Sequence, residues 1–156
     1  MEGINRRRVL RGAVIGGVLL GQAGIARGLT DLKDLEGREI QRPADPANMT
    51  GLEKAHLVTI DAPQEITAGE PFAVSVALPN HPMLSAHHIV WMRVLLDNDT
   101  VCYTTLAPVW QRPSATFTFV LAKPMRLDVV AECNLHGLWG PPTPVELKMA
   151  AMGGTS

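Results

Sequence analysis

Two clusters of metal-ligand side chains lie about fifty residues apart, and they constrain this chain more than any other feature of its 156 residues. The first is His81-Pro82-Met83-Leu84-Ser85-Ala86-His87-His88-Ile89-Val90-Trp91, and the second is Cys133-Asn134-Leu135-His136-Gly137-Leu138-Trp139. Imidazole and thiolate together suit a borderline-soft transition metal. Only a folded domain can bring segments so distant into one coordination sphere. An isolated Cys-x-x-His carries little weight, and Cys133 has a competing use in a disulfide with Cys102, the only other cysteine. The histidines shift the balance: four of the five sit in the two clusters, and the fifth, His56, follows Glu53-Lys54-Ala55.

These residues resemble the superoxide reductases of the neelaredoxin and desulfoferrodoxin type. That family carries Glu-Lys-His near the start of its iron domain, then His-Pro-x-x-x-x-His, then Cys-Asn-x-His-Gly-x-Trp. The resemblance runs from about Glu53 to Glu146 and implies a mononuclear iron held by His56, His81, His87 and His136 in a plane, with Cys133 as the axial thiolate. It implies one-electron reduction of superoxide to hydrogen peroxide, with the electron returned by an external donor such as a rubredoxin-like or other small redox protein. Lys54 would draw in the anionic substrate, and Glu53 would occupy the sixth position at rest. One departure bears on both roles: the chain reads Glu53-Lys54-Ala55-His56, so an alanine separates the pair from the histidine.

The chemistry follows from the ligand types as well. Four neutral imidazoles and one thiolate leave one octahedral position open to a small ligand, and an anionic sulfur opposite it pushes electron density through the metal. Backbone N–H groups just after Cys133 are placed to donate to the sulfur. Gly137 permits positive φ, and Trp139 and Trp91 read as core residues, with Trp139 shielding the sulfur side. Zinc competes for any Cys-His set, although five protein ligands exceed its usual four. His88 projects opposite to His87 if a strand starts there, so it stays outside the ligand set.

The amino terminus resembles a twin-arginine export signal: Arg6-Arg7-Arg8 and Arg11 precede an uncharged run from Gly12 to Ala26. The run is shorter than the roughly twenty apolar residues of a bilayer-spanning helix. Cleavage after Ala26 would release a periplasmic protein whose only membrane contact is transient; an uncleaved anchor is the alternative. Such export carries folded, cofactor-loaded proteins, which suits an iron site. Removal of residues 1–26 leaves ten bases and fourteen acids, a net charge of −4 that argues against nucleic-acid binding.

Residues 27–52 read as an arm with one helical turn at Leu29, Leu32 and Leu35, and residues 53–150 as the iron-binding domain. Short β-rich runs follow: 56–60, 72–78, 88–96, 101–107, 116–121, 127–132 and 145–149. Phe72, Val74, Val76 and Leu78 alternate with small or polar residues, as do Phe117, Phe119 and Leu121. Asp97-Asn98-Asp99 marks a hairpin turn. About seven such strands predict an all-β, immunoglobulin-like antiparallel β-sandwich, the fold the resemblance also implies, with the ligands at strand ends and in loops. Two other functions stay open: a non-catalytic iron-binding or electron-carrier protein, and an iron-free immunoglobulin-like carrier module of an exported redox pathway. Homo-oligomerisation is undecided by sequence.

Overall fold

The computed structural model describes residue 35 and residues 37–151, and these described residues form ten strands and one short helix. The export segment 1–26 and the proposed turn at Leu29 and Leu32 lie outside the described residues. No helix among the described residues is long and apolar enough to cross a membrane.

The strands are β1 (Ile40–Gln41), β2 (Thr59–Asp61), β3 (Glu65–Ile66), β4 (Pro71–Ala77), β5 (Ile89–Leu96), β6 (Asp99–Thr105), β7 (Ser114–Val120), β8 (Met125–Cys133), β9 (Gly137–Trp139) and β10 (Val145–Met149); α1 spans Gly51–Ala55. They form two sheets. In the larger, β8 pairs with β5 along one side and with β10 and β9 in turn along the other, while β6 adds to β5, β3 to β10 and β1 to β9. The smaller has the order β2-β4-β7. The all-β sandwich is therefore present. Its ladders are antiparallel with two exceptions, the two-residue parallel pairs β1/β9 and β3/β10. The strands in excess of seven are β1, β3 and β9, each too short to show a period of two.

Period-two alternation places the core. Val74 and Val76 of β4, with Leu78 just beyond it, face Met92, Val94 and Leu96 of β5, Leu127, Val129, Ala131 and Cys133 of β8, and Leu147 of β10. Fully burying one such aliphatic side chain contributes about 1.5–3 kcal/mol. The alternation makes Cys133 the last core-facing residue of β8, delivering its sulfur to one end of the sandwich. A register irregularity between Ile89 and Trp91 of β5 lets Ile89 and Met92 both face the core. Trp91, Leu95, Val130 and Leu138 form a second cluster on the outer face, covered by Leu35 and Ile40 of the arm.

One expected strand begins differently. The run from His56 forms no strand until Thr59, because residues 51–55 are helical and His56 is their C-cap. The cause is a capping box: Thr50 Oγ1 accepts from Glu53 N–H at 3.2 Å, and the Glu53 carboxylate accepts from Thr50 N–H at 2.8 Å. At the β5–β6 hairpin, Asp97 and Asn98 take φ of 49° and 75°, the left-handed pair that a two-residue turn demands.

Candidate metal centre

Four imidazoles close a ring at the end of the sandwich where β8 delivers Cys133. Neighbouring ring centroids are 4.7 Å apart for His56 and His81, 4.6 Å for His81 and His87, 4.9 Å for His87 and His136, and 4.9 Å for His136 and His56. Each neighbouring pair is steeply inclined, at 74° to 84°. The diagonal pair His56 and His87 is 6.0 Å apart. The ligand atoms of His56, His87, Cys133 and His136 all lie within 4.8 Å of one another. His81 joins them through its Nε2, 3.2 Å from His56 Nε2. All five side chains singled out by the sequence thus meet in one place.

Local structure aims each of them. His56, at the C-terminus of α1, donates from Nδ1 to the Leu52 carbonyl at 2.8 Å; His81 donates from Nδ1 to the Pro82 carbonyl at 2.6 Å. A carbonyl only accepts, so both Nδ1 atoms carry the proton and both Nε2 atoms present bare lone pairs to each other. Burial, first of all, holds the His56 and His87 pKa values below the ordinary imidazole range and brings that of His81 to about 4. No proton therefore bridges the facing nitrogens at neutral pH. His87 Nε2 is likewise buried without a hydrogen-bond partner. His136 Nδ1 lies 3.5 Å from Cys133 Sγ. Converging, unprotonated nitrogens beside a buried sulfur fit a soft or borderline cation, and the residues present match an iron held by four imidazoles and a thiolate.

Neighbouring side chains frame the cluster. Trp139 stacks on His56 with centroids 4.5 Å apart at 22°, and it belongs to the same buried core cluster as Cys133. Gly137 takes φ of +76°, which lets the chain turn directly from His136 into β9. Asn134 ties the two loops together, accepting from His88 N–H at 2.9 Å and donating to the Ala86 carbonyl at 3.0 Å. The Asn134 N–H, one of those expected to reach the sulfur, donates to the His88 carbonyl instead at 3.1 Å. His88 turns its own Nδ1 toward the Leu84 carbonyl, 3.1 Å away.

Both cysteines are free. A bridge between them is ruled out by topology: β5 lies between β6 and β8, and Cys102 stands opposite Val94, which stands opposite Val129. Two strand spacings alone come to about 9–10 Å, beyond disulfide reach.

The two residues expected to act on substrate occupy α1. The Glu53 carboxylate is engaged by the capping box and also accepts from Ala44 N–H at 3.3 Å, and these hydrogen bonds, led by that of Thr50 N–H, lower its pKa. Lys54 is exposed, and its carbonyl accepts from Asn80 Nδ2 at 3.3 Å, linking α1 to the residue before His81. A cavity of about 430 Å³ opens beside His81, lined by Met83, Gln111, Arg112 and Pro113 among others.

Comparison with known proteins gives a consistent picture. The desulfoferrodoxin family model matches residues 48–141. Neelaredoxin of Megalodesulfovibrio gigas is 27% identical over 114 residues, covering 60% of this chain and 88% of that protein. Desulfoferrodoxin of Desulfarculus baarsii is 35% identical over 68 residues, covering 44% of this chain; the chain spans only half of that relative, 50% of its length. The solved superoxide reductase (neelaredoxin) of Ignicoccus hospitalis shares 30% identity over 70% of this chain and 95% of its own, with a TM-score of 0.60.

Proposed function

The chain belongs to the desulfoferrodoxin family, and from that premise we propose that it is a one-iron superoxide reductase exported from the cytoplasm. One observation carries the reading: four inward-facing imidazoles and the Cys133 sulfur meet at the end of the sandwich, in a chain whose relatives are named superoxide reductases. The cofactor is a mononuclear iron. When bound, it supplies the electron that, with two protons, converts superoxide to hydrogen peroxide. His56, His81, His87 and His136 would hold it through ring nitrogens, and the Cys133 sulfur, bound as a thiolate, would contribute the negative charge that favours electron release. Trp139 and the surrounding core keep water from the sulfur side. Oxidation-state recovery requires an external donor, a rubredoxin-like or other small redox protein. Iron analysis of the purified protein, its visible spectrum, and superoxide consumption followed with an oxygen electrode test the reading together. Iron with a sulfur-to-iron band and consumption without oxygen release is the expected result; a colourless zinc protein would overturn it.

A second reading, an iron-binding or electron-carrier protein without turnover, draws on a specific observation: Glu53 is engaged in a helix cap and Ala55 separates Lys54 from His56. Lys54→Ala distinguishes the two. If Lys54 serves the open side, the rate constant for superoxide falls about 10-fold at low salt and depends less steeply on ionic strength, while iron content and spectrum are unchanged. An unchanged rate in stopped flow means that the lysine is turned away. Arg112→Ala, in the cleft beside His81, then shows whether that cation has taken over the attraction.

Export rests on the Arg6-Arg7 pair and the uncharged run to Ala26. Replacing both arginines with lysine is expected to retain the protein in the cytoplasmic fraction. Undiminished periplasmic recovery of that variant would count against the twin-arginine route.

A further inference from the structure

The arm that precedes the family-matched residues is fastened at three polar points to β8, to the turn that carries His136 and to the residues just after β9. Arg38 pairs with Glu132, the residue before Cys133. Gln41 Nε2 donates to the His136 carbonyl at 2.6 Å. Arg42 grips the Asp128 carboxylate with both Nη atoms, at 3.2 Å and 2.6 Å, and donates to the Pro141 carbonyl at 2.8 Å. Between these points β1 runs parallel to β9, with Ile40 beside Leu138 and Gln41 beside Trp139, and Gly140 N–H donates to the Gln41 carbonyl at 2.9 Å. A Cβ at Gly140 would come within 2.7 Å of Arg42 Nη1, so the glycine leaves the room that the guanidinium occupies.

We propose that Gln41 is a positioning residue for the metal centre: its amide fixes the His136 peptide, and with it the direction of the His136 ring toward Cys133 and the metal. The inference rests on the metal-centre reading above. Its physical basis is the turn at Gly137, whose φ of +76° permits the peptide after His136 to rotate more freely than most. Among the described residues, the one side-chain donor to the His136 carbonyl is Gln41. The strand pairing and the Arg42 grip hold the arm in register so that the amide meets this carbonyl and no other. Partners of this kind, which orient a ligand without touching the metal, typically change metal affinity about 10–100-fold.

The test uses Gln41→Glu, which keeps the size of the side chain and replaces the donor with an acceptor that the carbonyl repels, and Gln41→Lys, which restores a donor. Iron-loaded full-length chains are challenged with a strong chelator. Gln41→Glu is expected to release iron about 10-fold faster and to shift the sulfur-to-iron absorption band, with Gln41→Lys recovering part of both. Ile40→Ala, which weakens the arm's apolar contact without touching the His136 carbonyl, controls for simple loosening; it is expected to leave the band where it is. A Gln41→Glu protein with wild-type release rate and band overturns the inference. Amide hydrogen exchange of the metal-free proteins supplies an independent arm: residues 134–138 should exchange faster in Gln41→Glu than in wild type, and equal protection there also overturns it. Failure of the wild-type protein to bind iron would instead overturn the metal-centre reading, while the exchange comparison still decides whether Gln41 holds the loop.

Discussion

Cys133→Ser is expected to yield a folded protein that has lost its colour and nearly all superoxide reduction. Cys133 is 2% exposed and is the last core-facing residue of β8, so an oxygen in place of sulfur changes shape very little. The fold therefore survives, at a cost of about 1–3 kcal/mol for a buried hydroxyl that lacks a full set of partners. The electronic change is much larger. A serine hydroxyl stays protonated at neutral pH, so the negative charge that a metal-bound thiolate would place at this position, 3.5 Å from His136 Nδ1, is lost. Even residues that only orient a metal ligand are worth about 10–100-fold, so removing the ligand itself should lower activity by about 100-fold or more. Circular dichroism, iron content and the visible spectrum separate these effects. Cys102→Ser is the natural control: Cys102 sits mid-strand on β6, two strands from Cys133, with its thiol pKa raised by burial. Its replacement should leave iron and spectrum in place. A Cys133→Ser protein with wild-type colour would exclude the assigned centre.

The side chains of the centre were legible because their chemistry is rare and their spacing is local. His81 and His87 flank one loop, and Cys133 and His136 flank one turn, so each pair announces itself without knowledge of the fold. The sandwich was legible for a similar reason: Val74 and Val76, or Phe117 and Phe119, alternate with small or hydroxylated neighbours over a whole strand. His56 was harder. The Thr50-x-x-Glu53 pattern of a capping box was present in the sequence, and reading it would have placed His56 at the end of a helix instead of the start of a strand. It would also have shown that Glu53 has a structural use next to any catalytic one. β1, β3 and β9 could not be read at all, because a strand of two or three residues has no period and exists only through its partner. The contact of Gln41 with the His136 carbonyl belongs to the same class: a backbone acceptor leaves no mark in the sequence, and the two residues are 95 positions apart. What escapes is therefore the tertiary support of the site, not the side chains gathered there.

Acidification is expected to loosen the protein and to discharge its metal in one window, between about pH 6.5 and pH 4. The direction follows from the shifts. His56, His81 and His87 all have folded pKa values below the ordinary 6.5, that of His81 at about 4, chiefly because burial opposes their charged forms. In the unfolded chain the same groups take up protons near pH 6.5. Below that pH the unfolded state binds more protons than the folded state, so stability is complete above 6.5 and declines as the pH falls toward the folded values. For His81 alone, 6% exposed, the decline is on the order of 3 kcal/mol when complete. That is a large share of the roughly 5–15 kcal/mol that holds a domain of this kind together. Two carboxylates with lowered pKa values, Asp45 and Glu53, act in the same direction but only below their ordinary values of 3.8 and 4.5, so the interval from pH 6.5 to 4.5 belongs to the imidazoles. Urea midpoints of the metal-free protein at pH 7, 5.5 and 4.5 should fall in that order. Iron-loaded protein should start from a higher midpoint and lose its sulfur-to-iron band over the same interval, because protons and metal compete for the same nitrogen lone pairs. Flat midpoints from pH 7 to 4.5 would show that these three rings are not buried as packed, and the case for His56, His81 and His87 as ligands would fall with them.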